Sequence, residues 1–135
     1  MSAPARLLPD IPPEMAPFFA AARRRELVVQ RCRACGTYRF PARDICSRCL
    51  SREAAWEPVT GRAAVFSFAI MHQAYHPALQ VPYAVVVVEL EEGVRMLSNV
   101  VDCPLRELAI GMPVEVVFEE LTAEVTLPKF RPRRA

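Results

Sequence analysis

Cys32-Arg33-Ala34-Cys35-Gly36 and Cys46-Ser47-Arg48-Cys49 are two C-x2-C pairs separated by ten residues, and their reading decides the fold. Four thiolates at this spacing make a tetrahedral sulfur cage suited to zinc. Gly36, directly after the second thiol, supplies the backbone bend that a tight metal knuckle needs. A site filled by four sulfurs keeps no open coordination position. The expected metal, one zinc ion held by Cys32, Cys35, Cys46 and Cys49, therefore supports structure and does not activate water. Two disulfides in an exported protein, or iron in a rubredoxin-type cage, are the competing readings. Nothing at the amino terminus resembles an export signal, which argues against the disulfides.

Working outward, Leu27 to Arg31 reads as a strand entering the first pair, and Thr37 to Pro41 returns as its partner. Ala42 to Ile45 feeds the second pair, and Trp56 is placed to seal the joint with whatever follows. Upstream, Glu14 sits in a first turn, and Met15, Phe18, Phe19, Ala22 and Glu26-Leu27 follow helical spacing. In one reading of this amphipathic helix the phenylalanines pack on the ribbon, while Arg23, Arg24 and Arg25 suit the dipole at its carboxyl end. In the other, Phe18 and Phe19, with Trp56, dock a partner, or the arginines clamp an anion. Residues 1–12, with three prolines, read as an extended lead-in that either lies across a partner or is disordered.

Downstream of Gly61 the chain is mostly strand. Ala64 to His72 alternates, with Val65, Ser67, Ala69 and Met71 on one face and Phe66, Phe68, Ile70 and His72 on the other. Residues 73–82 read as a long loop. Ala84 to Leu90 is a β-branched run that turns at Glu91-Glu92-Gly93 into Val94 to Val101. Asp102 is placed to cap a short helical turn through Ala109, ended by Gly111. Met112 to Glu120 and Val125 to Phe130 complete five strands, and Arg131 to Ala135 is a frayed tail. Five strands with a short helix between the third and fourth make an OB barrel. The expected class is mainly β: lead-in and helix at 1–26, zinc ribbon at 27–58, five-stranded OB-fold barrel at 59–135.

Hydrophobic residues make up 53% of the 135, enough for a real core. The longest apolar run, around Tyr83 to Val88, is strand-length and far short of a bilayer span, so a soluble, cytoplasmic protein is expected. The net charge of +2 is uneven: residues 1–60 carry +4 and residues 61–135 carry −2. Of the 17 basic residues, 16 are arginine and one is Lys129, a skew shared with abundant Ala and Pro that weakens any inference from basicity to nucleic acid.

At this point the chain resembles a known family, the OB-fold, acyl-CoA-associated proteins with a rubredoxin-like zinc ribbon before the barrel, long catalogued as a domain of unknown function. The resemblance runs from about Pro13 to Phe130. It is carried by Arg25-Glu26-Leu27, Val29-Gln30-Arg31-Cys32-x-x-Cys35-Gly36, Phe40-Pro41-x-Arg43-x-x-Cys46-x-x-Cys49, Trp56-x-Pro58-Val59-x-Gly61 and Ile110-Gly111-Met112-Pro113-Val114. It implies a non-catalytic accessory subunit, assembled with thiolase-like enzymes or lipid-transfer-type aldolases that act on acyl-CoA. The chain departs from the family at Gly61-Arg62-Ala63, where Gly-x-Gly is usual, and at Phe18-Phe19, where Phe-Trp is usual.

A CoA ligand needs cations for its phosphates and an aromatic or apolar face for adenine. Arg31, Arg33, Arg39, Arg43 and Phe40 offer these around the ribbon. No serine, cysteine and histidine fall into a nucleophile motif. Cys103, beside Pro104 at a short helix start, is read either as a thiol of lowered pKa or as a small apolar residue at a barrel end. His72 and His76 flank Tyr75 and read as loop residues or as a proton-transfer pair. Two other classes stay open: a single-stranded nucleic-acid module, since both ribbons and OB barrels bind nucleic acid elsewhere, and a redox carrier with iron in the cage.

Overall fold

The computed structural model describes residues 8–134. The expectation for residues 1–7 of the lead-in lies outside the described residues. A 3-10 turn, Pro13–Met15, passes into helix α1, Ala16–Arg23, with Pro17 in its first turn, where a missing N–H costs nothing. The helix is shorter than its apolar spacing predicts. Arg25 adopts a left-handed φ of 63° and turns the chain, so Glu26 and Leu27 lie beyond the helix. That turn aims Leu27 into the core at 3% exposure and starts the ribbon.

The ribbon is a three-stranded antiparallel sheet of β1 (Val28–Cys32), β2 (Tyr38–Arg39) and β3 (Ala54–Pro58), in the order β2-β1-β3. Strand β3 is an addition to the two strands legible in sequence. It places Trp56 opposite Gln30, half-buried against the core that the ribbon shares with the barrel.

The second sheet is antiparallel, with β4 (Arg62–Met71), β5 (Tyr83–Leu90), β6 (Arg95–Ser98), β7 (Pro113–Glu120) and β8 (Thr126–Pro132) in the order β6-β5-β4-β7-β8. It curls until its ends meet. Val100 bridges Phe130 in parallel, with Val101 N–H on the Phe130 carbonyl at 2.8 Å and Phe130 N–H on the Asn99 carbonyl at 3.0 Å. This is the OB-fold curl, mainly β as expected. Strand β8 also runs past Phe130 to Pro132, so Arg131, paired with Glu115 at 3.1 Å, is ordered strand and not frayed tail.

Two local expectations are corrected. A β-bulge between Val65 and Ser67 breaks the alternation of β4, so that Val65 before it and Phe68 and Ile70 after it all pack on the core, while Phe66 is exposed. The extra residue switches faces, which a strict two-residue period does not foresee. Asp102 caps no helix: it stands at φ 55°, and the helical turn is only the 3-10 segment Leu105–Glu107.

One core runs through the helix, the ribbon and the barrel. Phe18, Leu27 and Val29 from the amino-terminal half join Val65, Val86, Val88, Leu90, Val114 and Phe130 of the barrel. Strand β5 shows why: its even residues Ala84, Val86, Val88 and Leu90 are all buried and its odd ones half-exposed. Helix α1 lies on β8 and β1, which joins ribbon to barrel at that end.

Candidate metal centre and the adjoining cleft

The four ribbon thiols converge. All four Sγ atoms lie within 4.8 Å of one another, with Cys32 to Cys49 at 3.5 Å and Cys35 to Cys46 at 3.6 Å. Zn–S bonds of about 2.3 Å in a tetrahedron place sulfurs about 3.8 Å apart, so the cage fits zinc. Two similar knuckles build it. Gly36 N–H reaches back to the Cys32 carbonyl at 2.9 Å, and Leu50 N–H to the Cys46 carbonyl at 3.0 Å. The residue closing each knuckle is left-handed, Gly36 at φ 78° and Leu50 at φ 65°.

The thiols are electrostatically crowded, as ligands awaiting a cation should be. The hydroxyl and amide of Thr37 draw the Cys35 thiol down to about 6. Cys46 is lowered by the amides of Cys49 and Arg48. At Cys49 the Ser51 amide lowers, yet the Cys32 thiol, burial and then the Cys35 and Cys46 thiols outweigh it and push the group up to about 12. Cysteines that cannot all ionise together are brought to thiolates by a dication, which is the chemistry of a structural zinc ribbon.

The fold divides the five residues expected around CoA, bringing Arg39, Phe40 and Arg43 to one cleft and leaving Arg31 and Arg33 outside it. Arg31 is engaged locally, with Nε on the Gly36 carbonyl at 2.9 Å, Nη1 3.4 Å from Glu57, and its guanidinium 4.6 Å from the centre of the Tyr38 ring. Arg33 is exposed on the first knuckle. Phe40 packs on Phe18 at 5.0 Å between ring centres with the rings tilted by 51°, an apolar contact of the core edge. Arg39 and Arg43 are brought together. Arg39 donates from Nε to Gln30 Oε1 at 2.8 Å and from Nη2 to the Arg43 carbonyl at 2.7 Å, while Arg43 N–H donates to the same Gln30 oxygen at 3.0 Å.

Arg39 is 9% exposed, and its Nη1 has no acceptor among the described residues. A buried donor left unpaired costs about 1–3 kcal/mol. Arg39, Phe40 and Arg43 line a cleft of about 470 Å³ between the ribbon and the β5–β6 hairpin, together with Ser47, Glu89 and Arg95. Gln30, Ser47 and Arg95 were not singled out from sequence; Arg95 is far from the ribbon along the chain and only hairpin pairing brings it there.

Of the expected docking aromatics, Phe18 is 5% exposed and belongs to the core, with Phe19 edge-on to it at 5.2 Å. Phe19 is half-buried and lines a groove of about 240 Å³ with Met15, Met96, Leu97 and Leu127. Of the three helix-end arginines, Arg24 pairs with Glu26 at 3.7 Å, and Arg25 reaches β7, at 3.1 Å from the Phe118 carbonyl and 3.5 Å from Glu120. Cys103 lines a larger cleft of about 800 Å³ at the barrel mouth. Burial, followed by the charge of Glu107, raises its pKa, the opposite of an activated thiol, and it donates only to the Pro104 carbonyl at 3.4 Å. His72 is exposed, and His76 Nδ1 accepts from Ala78 N–H at 3.0 Å, closing a turn of the loop.

No helix among the described residues is long and apolar enough to cross a membrane. Two family models match end to end: the rubredoxin-like zinc ribbon domain of ChsH2 over residues 19–55, and the C-terminal OB-fold domain of ChsH2 over residues 56–119. A protein described as a probable enoyl-CoA hydratase alpha subunit from Thermomonospora curvata is 42% identical over 126 residues, which are 92% of this chain and 39% of that one. The chain thus spans well under half the length of that relative. A DUF35 domain-containing scaffold protein from Methanocaldococcus jannaschii is 38% identical over 98 residues, 70% of this chain and 69% of that one. A solved structure described as "Ltp2-ChsH2(DUF35) aldolase" superposes with a TM-score of 0.86 at 41% identity, over 93% of this chain and 98% of that chain. With its four-cysteine ribbon and OB barrel matched in order over residues 19–119, this chain belongs to the DUF35 family of ChsH2-type zinc-ribbon and OB-fold proteins.

Proposed function

We propose that this chain is a non-catalytic, zinc-bound accessory subunit of an acyl-CoA enzyme of thiolase-like or lipid-transfer type, which it stabilises and whose CoA substrate it helps bind or pass. The observation that carries this reading is the near-complete superposition on a chain from a structure described as an aldolase, at 41% identity. The hydratase name of a second relative and the scaffold name of a third support a role that serves acyl-CoA chemistry in company with another chain. The chain's own chemistry points the same way. Its metal cage is closed by four sulfurs, and its one other cysteine has a raised pKa and donates to the Pro104 carbonyl.

In this reading Phe19 and Trp56, both half-buried, contribute the docking face, and Phe18 holds the helix from behind. Of the ribbon residues expected around CoA, Arg39, Phe40 and Arg43, which line one cleft, form the side turned to CoA. Affinity capture from the native host followed by mass spectrometry should recover a carbon–carbon bond-forming or bond-cleaving acyl-CoA enzyme. Phe19→Ala should weaken that capture more than tenfold, about 2 kcal/mol for an aromatic anchor, at full zinc content. Turnover of acyl-CoA by the isolated chain at enzymatic rates, abolished by Cys103→Ala, would sink the proposal.

A further inference from the structure

We infer that the cleft between the ribbon and the β5–β6 hairpin is an oxyanion site shaped for a phosphate monoester. Its walls bring Arg39, Arg43 and Ser47 from the ribbon against Glu89, Gly93 and Arg95 of the barrel. The one carboxylate, Glu89, is already met by Arg95 Nε at 3.2 Å, which leaves two guanidinium charges uncompensated. Arg43 is exposed and pairs with no carboxylate among the described residues. Its backbone is nonetheless held at both ends, N–H on Gln30 and carbonyl under Arg39, so its side chain starts from a fixed root.

Arg39 supplies the second half of the argument. Nine-tenths buried, it uses two of its three nitrogens to hold the ribbon and keeps the third without an acceptor among the described residues. A buried donor of this kind, on a residue that lines a cleft with surplus positive charge, calls for an acceptor that arrives with a ligand. A monoester carries close to two negative charges and three acceptor oxygens, which matches two free guanidinium charges and the Ser47 hydroxyl better than a carboxylate or a diester does. Arg31 drops out of the site, because Gly36, Glu57 and Tyr38 already occupy it.

The identity of the ligand rests on the acyl-CoA reading above, since coenzyme A carries a monoester on its ribose; inorganic phosphate offers the same chemistry. Calorimetric titration of the zinc-loaded full chain with CoA, with dephospho-CoA, which lacks that monoester, and with inorganic phosphate separates the cases. CoA should bind at least tenfold tighter than dephospho-CoA. Arg43→Ala should erase most of that ratio and Ser47→Ala part of it, while Arg106→Ala, exposed elsewhere, leaves it intact. Arg39→Lys, which keeps charge but not the fork, should reduce it too; if that variant fails to hold zinc, the Arg43 and Ser47 variants decide. Equal binding of CoA and dephospho-CoA would overturn the site and leave the acyl-CoA reading standing. Phosphate binding that Arg43→Ala removes, without any CoA binding, would uphold the site and remove CoA as its ligand. A ratio indifferent to both variants, or no binding of any of the three at millimolar concentration, would overturn it.

Discussion

Leu50 occupies a position where the matching knuckle has glycine. Its φ of 65° is costly for a side chain with a Cβ, by roughly 1–2 kcal/mol, and its side chain is 74% exposed, so packing returns little of that cost. Leu50→Gly should therefore leave zinc binding intact and leave the urea midpoint unchanged or raised, the relief offset by about 1 kcal/mol of added chain entropy. A clear loss of stability would show that Leu50 packs in a way its exposure does not reveal. Gly61 is the reverse case. It stands at φ 82°, and a Cβ there would run into the Val116 side chain on β7. Gly61→Ala should cost about 2–4 kcal/mol by adding left-handed strain to overpacking, read as a lowered urea midpoint. Residues of both kinds mark what sequence makes legible. The four cysteines declare themselves because metal geometry dictates spacing. Leu50 gives no sign of a left-handed backbone, and Arg39 no sign of burial, because both depend on where tertiary contacts send the chain.

At the scale of elements, the ribbon and the barrel differ in how they are held. Strand β2 has only two residues, and the ribbon's loops close on sulfur and on backbone hydrogen bonds. Stripping zinc with a chelator, or Cys32→Ser, should unfold the ribbon sheet, because small ribbons take much of their folding free energy from the metal. The loss should not stop there: Leu27 and Val29 are buried with the barrel residues, so apo protein should also show a lower barrel melting temperature by calorimetry. A barrel melting unchanged by chelation would mean that the shared core adds nothing across the joint. Strand existence was legible here from β-branched runs and turn residues. The bulge at Phe66 was not, since one inserted residue leaves composition untouched while exchanging the faces of everything after it. The third ribbon strand was missed for a similar reason: Ala54 to Pro58 lacks a β-branched residue, and it is strand because β1 offers it an edge.

Over the whole molecule, charge pairs stitch separate turns to the sheet. Arg62 on β4 holds Glu91 at 2.7 Å in the β5–β6 turn, and that hydrogen bond keeps the Glu91 carboxyl below its usual value. A depressed carboxylate adds stability that is present above the unfolded pKa, about 4.3, and is lost as pH falls through the lower folded value. Both groups are exposed, so the effect is small. Arg62→Ala should accordingly lower the urea midpoint at pH 7, with the gap to the parent closing as pH drops below 4.3 or so. A gap independent of pH would assign Arg62 to packing instead. The overall architecture was legible because helix, metal knuckles and five strands come in chain order; the cleft was not, because Arg43 and Arg95 meet only through the fold.

The parallel bridge between Val100 and Phe130 has a kinetic meaning. Elsewhere among the described residues the barrel's strands are joined by antiparallel ladders, whereas this seam rests on a pair of backbone hydrogen bonds and one from the Ser98 hydroxyl to the Pro128 carbonyl at 3.0 Å. Partial opening of a protein follows its weakest boundary, and here that boundary lets β6 part from β8 without undoing the β4–β5 hairpin. Amide hydrogens at Val101 and Phe130 should therefore exchange with solvent deuterium through a lower-energy opening than those at the centre of β5, making the seam the place where this barrel breathes.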